Sequence, residues 1–268
     1  MKRKNKILFY ILFGIVLLTV IVVCNVMWHN SQIKGVRVVV SYGDSRTEVL
    51  DTLVSSGTLE QLILHERPTL RTLMVKQVDK QDVRQVVMTN PYVERADISV
   101  SIRSEVVVRV VQRTPIVRMF MHGEEFYLDR EGKYMPVSQE GSVSVLVGSG
   151  SFSEYFTSDH AVIDYHELST DEKYCNLPSV RVWRLASYLY QHPDYGCLFD
   201  QVSINADGDL LLVPKVGSHI VVVGDLDSLD TRFSDLLDFY RKGMKQVGWN
   251  TYRQVSIKYN GQVICTAR

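Results

Sequence analysis

The chain has 268 residues with 30 basic and 30 acidic side chains, so it lacks the global basic field of a nucleic-acid binder, and no nucleic acid is expected as a partner. Four cysteines, Cys24, Cys175, Cys197 and Cys265, leave an odd number outside the first apolar segment, which argues against a disulfide framework. A single Cys175–Cys197 bridge is compatible with the sequence; free buried thiols are the simpler expectation.

Lys2, Arg3, Lys4 and Lys6 form a basic cluster, and from Ile7 to Trp28 no residue is charged. That run is about 33 Å long at the α-helical rise, against a hydrocarbon core of about 30 Å. In lipid every backbone group must bond internally, so the run is expected to be a transmembrane helix over residues 7–28. Basic residues before it and none just after it place residues 1–6 in the cytoplasm and the bulk outside. Trp28 suits the far interface. The run is too long for a signal peptide, and Asn25-Val26-Met27-Trp28-His29 offers no small-x-small cleavage site, so an uncleaved anchor is expected. Val23 before Cys24 does not fit a lipoprotein. The remaining residues, about 240, allow one or two domains.

His29 to Gly35 reads as a polar connector, and Val36–Val40 as a β-branched strand. Asp44 to Ser56 carries Val49, Leu50, Leu53 and Val54 at helical spacing, with Asp44 or Ser45 as cap and Gly57 as stop. Asp79-Lys80-Gln81-Asp82 opens a second helix with Val83, Val86 and Val87 on one face, closed by Asn90-Pro91. Strands are expected over Val93–Ile102, where Ala96, Ile98, Val100 and Ile102 alternate with polar residues, and over Val106–Val111. The order is β-α-α-β-β, a small α+β domain over residues 35–115.

Beyond it, Tyr127–Tyr134 reads as two short strands around a polar turn, and Gly148-Ser149-Gly150-Ser151 as a loop. Leu177–Gln191 is helical. Three strands follow at Phe199–Ile204, Leu210–Pro214 and Ile220–Val223, then a helix over Asp227–Gln246 with Phe233, Leu236, Leu237, Tyr240 and Met244 as its buried stripe. The last segment, Tyr252–Tyr259 and Gln262–Thr266 around Asn260-Gly261, carries the strongest short hairpin signal, with φ > 0 expected at both turn residues. No residue after Arg268 is present to cover its outer side, so the fold is expected to close on an open edge.

Chemistry-bearing patterns are sparse. The sequence has no nucleophile elbow, phosphate loop, dinucleotide fingerprint or HExxH. His160, Asp164 and His166 would bind a metal only if a loop gathered them; surface polarity explains them as well. Asp129 and Glu131 form a carboxylate pair, but turn chemistry accounts for both. His219 reads as structural, and Trp183, Phe239, Tyr240 and Trp249 as core. Lys258 reads either as a solvated or edge-guarding charge or as part of a contact site. No catalytic residue, cofactor or metal is expected.

In order along the chain, four motifs resemble one family. Asn90-Pro91-Tyr92-Val93-Glu94-Arg95-Ala96 is similar to the stretch after the second helix of a POTRA domain. Val110-Val111-Gln112-Arg113-Thr114-Pro115-Ile116-Val117 resembles a "V-x-E/Q-R-x-P-V-A" junction. Tyr127–Tyr134 resembles a "yLD-x-x-G-x-v/y" hairpin, and Tyr252 with Ser256-Ile257-Lys258-Tyr259 and Gly261 resembles a "Y-x-x-[ID]-[DL]-[RK]-Y-x-x-G" terminal pair. Behind a basic tail and one span, they resemble FtsQ/DivIB, the bitopic bacterial cell-division proteins, in their Bacteroidetes-like branch. Tyr92 stands where the family has Trp, Gln112 where it often has Glu, and Ser256 where Asp is common.

The resemblance implies an α+β fold: one N-terminal transmembrane helix, a POTRA-like domain over 35–115, and over 116–268 a β-rich domain with helices on a mostly antiparallel sheet. It implies a non-enzymatic scaffold in the cell inner membrane at the septum, with FtsB-like and FtsL-like bitopic partners and the lipid bilayer. It also implies strand addition by the FtsB-like partner, with Tyr252, Lys258, Tyr259, Gly261, Gln262, Val263, Ile264, Cys265 and Thr266 as the contact set. Two other classes would fit an anchored chain: a cell-wall enzyme, which lacks a constellation here, and an outer-membrane assembly component, which would need a long run of barrel strands.

Overall fold

The computed structural model describes residues 2–42, 52–154 and 163–268, with side chains from Phe9 onward. Two compact units emerge, one of residues 1–43 and 54–112 and one of 44–53 and 113–268.

In the first unit, α1 (Lys2–His29) takes in the basic cluster as well as the apolar run, and its stretch Phe9–His29 is long and apolar enough to cross a membrane. The connector after it is not a loose tether. Ser31 Oγ donates to Trp28 O at 2.7 Å and meets Ser104 Oγ at 2.5 Å, while Val75 N donates to Ser31 O and Ile33 N to Leu73 O, both at 2.9 Å. Trp28 Nε1 donates to Ser101 O at 3.1 Å.

The strands β1 (Gly35–Tyr42), β2 (Val93–Val100) and β3 (Glu105–Gln112) form a sheet of order β1-β3-β2, parallel between β1 and β3 and antiparallel between β3 and β2. Helices α2 (Ser56–Glu66) and α3 (Lys80–Met88) bury Leu59, Ile63, Val83, Val86 and Val87 against Val106, Val108 and Val110. Among the described residues the order is β-α-α-β-β, with α2 as the first helix after β1. The expected Asp44–Ser56 helix lies mostly outside the described residues, which omit 43–51; Thr52–Ser55 are not helical, and Ser55 is the N-cap of α2, accepting from Thr58 N at 3.1 Å. Gly57 therefore sits in the first turn, not at a stop. Asp79 caps α3 as expected, accepting from Gln81 N and Asp82 N. Ile102, expected on the inner face of β2, is 91% exposed in the turn Ser101–Ser104.

The second unit is built on a nine-stranded sheet of order β12-β11-β10-β9-β8-β7-β4-β5-β6. Its strands are β4 (Pro115–Met121), β5 (Glu124–Asp129), β6 (Tyr134–Pro136), β7 (Leu146–Gly150), β8 (Phe199–Ile204), β9 (Leu210–Pro214), β10 (Ile220–Gly224), β11 (Tyr252–Ser256) and β12 (Ile264–Ala267). Most neighbours are antiparallel; β7 runs parallel to both β4 and β8, and β11 runs parallel to β10. The helices are α4 (Tyr165–Thr170), α5 (Pro178–Gln191), the single turn α6 (Pro193–Gly196) and α7 (Leu229–Phe239), which continues through a π-helical turn at Tyr240–Met244 and a last turn at Lys245–Val247. Tyr188 of α5 and Phe233 of α7 meet with ring centroids 5.5 Å apart, and Phe233 reaches Phe199 of β8, so both helices cover one face.

The expected loop at Gly148–Ser151 is instead the end of β7, deep in the sheet. Gly148 has a packing role: an added Cβ would lie 2.5 Å from Met119 Sδ and 3.1 Å from Val182 Cγ1. The glycine thus lets α5 settle onto β4 and β7, a reason invisible to local turn statistics. The cysteines are free, but of the three outside α1 none is fully buried: Cys175 and Cys265 are half-buried and Cys197 is exposed.

Candidate functional site

Each residue of the expected contact set lies on the terminal β11–β12 hairpin, at one rim of the large sheet. Its position follows from the segment before it. After β10 the chain turns at Gly224 (φ +81), crosses the sheet as α7, and returns as β11 parallel to β10. β12 then pairs antiparallel with β11, with Ser256 opposite Ile264, Val255 opposite Cys265 and Gln254 opposite Thr266. Among the described residues no strand lies beyond β12. Half of its backbone groups therefore face outward without a ladder partner.

The hairpin differs from the tight turn expected of Asn260-Gly261. Ladder pairing stops at Ser256 and Ile264, leaving a wide loop, and only Gly261 of the two turn residues has positive φ. The loop is shaped by bonds to the body of the unit. Ile257 N donates to Val222 O at 2.9 Å, and Gly261 N donates to Asp235 Oδ2 of α7 at 3.2 Å. Lys258 Nζ reaches Asp209 Oδ1 at 2.7 Å, and the lysine stem lies where a Cβ on Gly224 would be. The hydrogen bond to Asp209 raises the Lys258 pKa, so the ammonium stays charged and is already paired within the chain.

Beneath the loop, Arg232 is 2% exposed. Its Nη1 donates to Val223 O at 2.8 Å and Lys258 O at 3.4 Å, and its Nη2 to Asp225 O at 3.3 Å and Asp225 Oδ1 at 2.7 Å. One guanidinium thus ties the end of β10 to the start of the hairpin loop. Sequence reasoning missed Arg232, although a signal existed: it sits between Leu229, Phe233 and Leu236 on the apolar stripe of α7. Asp209 was missed as well, because nothing local links it to Lys258.

At the other end of β11, His219 is buried with Nε2 2.7 Å from Tyr240 Oη, and its ring stacks near Trp249. Burial holds the His219 pKa below its ordinary value, so the imidazole is neutral near pH 7. Burial also raises the Cys265 thiol pKa, which keeps it protonated and a poor nucleophile. Two large apolar side chains of the hairpin are exposed, Tyr259 at 58% and Ile264 at 47%, and Gln262 of the expected contact set is exposed beside them. Tyr252, Val263 and Cys265 turn inward and pack on the core.

The other candidates assemble differently. His160 lies outside the described residues. Asp164 caps α4, accepting from His166 N and Glu167 N, and pairs with Lys133 at 2.5 Å. Among the described residues no group of His, Cys, Asp or Glu is placed to hold a metal. Asp129 is buried and accepts from Glu131 N, Lys133 N and Arg113 Nη1, the turn chemistry expected of it; burial raises its pKa despite these donors. A groove of about 310 Å³ near Pro115, Leu189 and Tyr190 includes Cys197, Asp200 and Lys215 but brings no base to the thiol.

Residues 114–266, more than half of the chain, match the family model described as FtsQ/DivIB, C-terminal related. The chain belongs to the FtsQ/DivIB family. Comparison with curated proteins gave no significant match. FtsQ/DivIB membership carries a cell-division role with protein partners in the division complex, and the apolar α1 accords with membrane anchoring.

Proposed function

We propose that this FtsQ/DivIB protein is a bitopic, non-enzymatic division scaffold that captures an FtsB-like partner by strand addition on β12. The first unit serves as its POTRA-like domain, residues 1–6 lie in the cytoplasm, and the two units lie on the periplasmic side of the inner membrane at the septum. The observation that carries the reading is that no strand among the described residues covers the outer side of β12, with Ile264 exposed at its start and Tyr259 exposed in the loop before it. Backbone bonds along such an edge supply affinity, while side chains on alternate positions select the partner. Tyr259 is an aromatic anchor of the kind enriched at interface hot spots. Lys258 acts as a brace through Asp209 and shapes the loop that presents Tyr259.

A photo-crosslinking residue placed at Ile264 in the full-length protein tests this in dividing cells. The expected product joins the protein to a bitopic division partner, and the same residue at exposed Val216 gives none. Equal yields at the two positions, or no product at Ile264, would remove β12 as the docking edge.

A further inference from the structure

The first unit holds an apolar side chain beside the end of the membrane helix. The turn Ser101–Ser104 between β2 and β3 closes through Ser104 N donating to Ser101 O at 2.9 Å. Ser101 O accepts the indole proton of Trp28 at 3.1 Å, one residue from the end of the apolar stretch Phe9–His29. Ile102 follows Ser101 directly, so its Cα is about 3.8 Å from that of Ser101. It is 91% exposed, more than any other large apolar side chain described.

The turn is held there at a conformational cost. Ser104 is buried with φ +62, a left-handed conformation that a non-glycine residue adopts only when its surroundings demand it. Its hydroxyl meets Ser31 Oγ at 2.5 Å, and its carbonyl accepts from Lys34 N at 2.8 Å. Lys76 Nζ adds a bond to Asn30 Oδ1 at 2.7 Å. The end of α1 and the turn therefore move as one piece.

We infer that the turn Ser101–Ser104 rests on the bilayer surface, with Ile102 in the interfacial layer and Arg103 and Lys34 against lipid phosphates. The inference depends on α1 spanning the membrane. If it spans, Trp28 lies at the interface where indoles concentrate, and the turn bonded to it lies at the same depth. Apolar residues with basic neighbours suit that layer, which buries hydrocarbon and attracts cations. Arg103 and Lys34 are both exposed; the nearest acid in sequence, Glu105, is engaged by Arg37 at 2.8 Å. The domain would thus be seated on the membrane by its own surface as well as by its tether.

The test uses the full-length chain, with its native cysteines replaced by serine, in vesicles of phosphatidylethanolamine and phosphatidylglycerol. An environment-sensitive dye is placed singly at Ile102→Cys, Arg103→Cys, Met88→Cys or Val16→Cys. Lipids spin-labelled near the headgroup or near the chain terminus serve as quenchers. Met88 is exposed as the last residue of α3, just before the start of β2, the strand whose other end leads into the turn and which is about 25 Å long at the strand rise.

Headgroup-proximal quencher is expected to extinguish dye at positions 102 and 103 and spare dye at 88, while deep quencher extinguishes dye at 16. Because dye at 102 replaces the isoleucine, Ile102→Asp is added to the Arg103→Cys protein, where it should restore emission. Omitting phosphatidylglycerol should reduce quenching at 102. Emission at 102 and 103 matching that at 88, with 16 still quenched, overturns the inference and leaves the span intact. Unquenched dye at 16 overturns both.

Discussion

Arg232→Met asks whether one buried guanidinium organises the proposed partner edge. Methionine keeps most of the apolar stem and removes the donors. Val223 O is left without the guanidinium donor at the buried end of β10, and an orphaned buried carbonyl costs about 1–3 kcal/mol. The bond to Lys258 O is long, at 3.4 Å, and adds little. Asp225 is 56% exposed, so its carboxylate is rehydrated and its share is under ~1 kcal/mol. Relief from burying a cation offsets part of the loss. The net expectation is a destabilisation of about 2 kcal/mol, or a urea midpoint lower by about 1 M at a typical slope. Urea unfolding followed by fluorescence reads it, since Trp183 and Trp249 both lie in the second unit. Arg241→Met, an exposed site on the same segment, should stay within about 0.5 kcal/mol of the parent. Because Arg232 also holds Lys258 O, partner capture should weaken beyond the effect on stability. A midpoint indistinguishable from that of Arg241→Met would refute the account of Arg232 as an organising brace.

Gly148→Val should prevent the second unit from folding natively or cost at least ~3 kcal/mol, because its Cβ would stand 2.5 Å from Met119 Sδ with α5 pressing from above; a soluble, cooperatively unfolding variant would show that the contact yields. His219 has a folded pKa below its unfolded value, so its contribution to stability is fully present above about pH 6.5 and declines as pH falls toward the lowered value. His219→Phe should flatten the decline in Tm between neutral and mildly acidic pH, and an unchanged slope would assign that decline to other groups. Ile264→Ala should raise the partner Kd about fivefold, since roughly half of a 1.5–3 kcal/mol side-chain burial remains for a partner to complete; titration against the purified partner reads it, and an unchanged Kd would place the contact elsewhere.

Elements with strong local periodicity were legible in the sequence. Asp79 and the Val83, Val86 and Val87 stripe give α3, and Phe233, Leu236, Tyr240 and Met244 give α7, although Leu237 is only half-buried and no periodicity announces the π-helical turn. The Leu210–Pro214 and Phe199–Ile204 strands were legible for the same reason. The misreadings share another cause. Leu59, Leu62 and Ile63 carry helical spacing that the expected stop at Gly57 cut off, and Ser55 bonding Thr58 N fixes where α2 starts. Gly148 and Gly150 look like a loop until Met119, Val182 and Ile204 are brought against them from distant segments. Asn260-Gly261 promises a tight turn, yet Asp235 and Val222 pull its flanks into a wider loop. Lys258 looked available because Asp209, its partner, is remote in sequence. In each case a tertiary contact decides between readings that local propensity leaves equal.

From β7 to β12 the chain lays down its strands in spatial order, each new one outside the last, so this side of the sheet grows toward a single rim. The consequence is one of timing. A ribosome-bound chain that has emerged only through β10 lacks the proposed docking strand, and α7 must cross and β11 must dock before β12 has anything to pair with. Crosslinking to the partner from chains stalled at successive lengths should therefore switch on only once Ile264–Ala267 has emerged; capture by shorter chains would contradict it. If the partner docks on β12 as proposed, recruitment would select protomers whose folding has already run through β12 of this sheet, and copies lacking that strand would be kept out of the assembly.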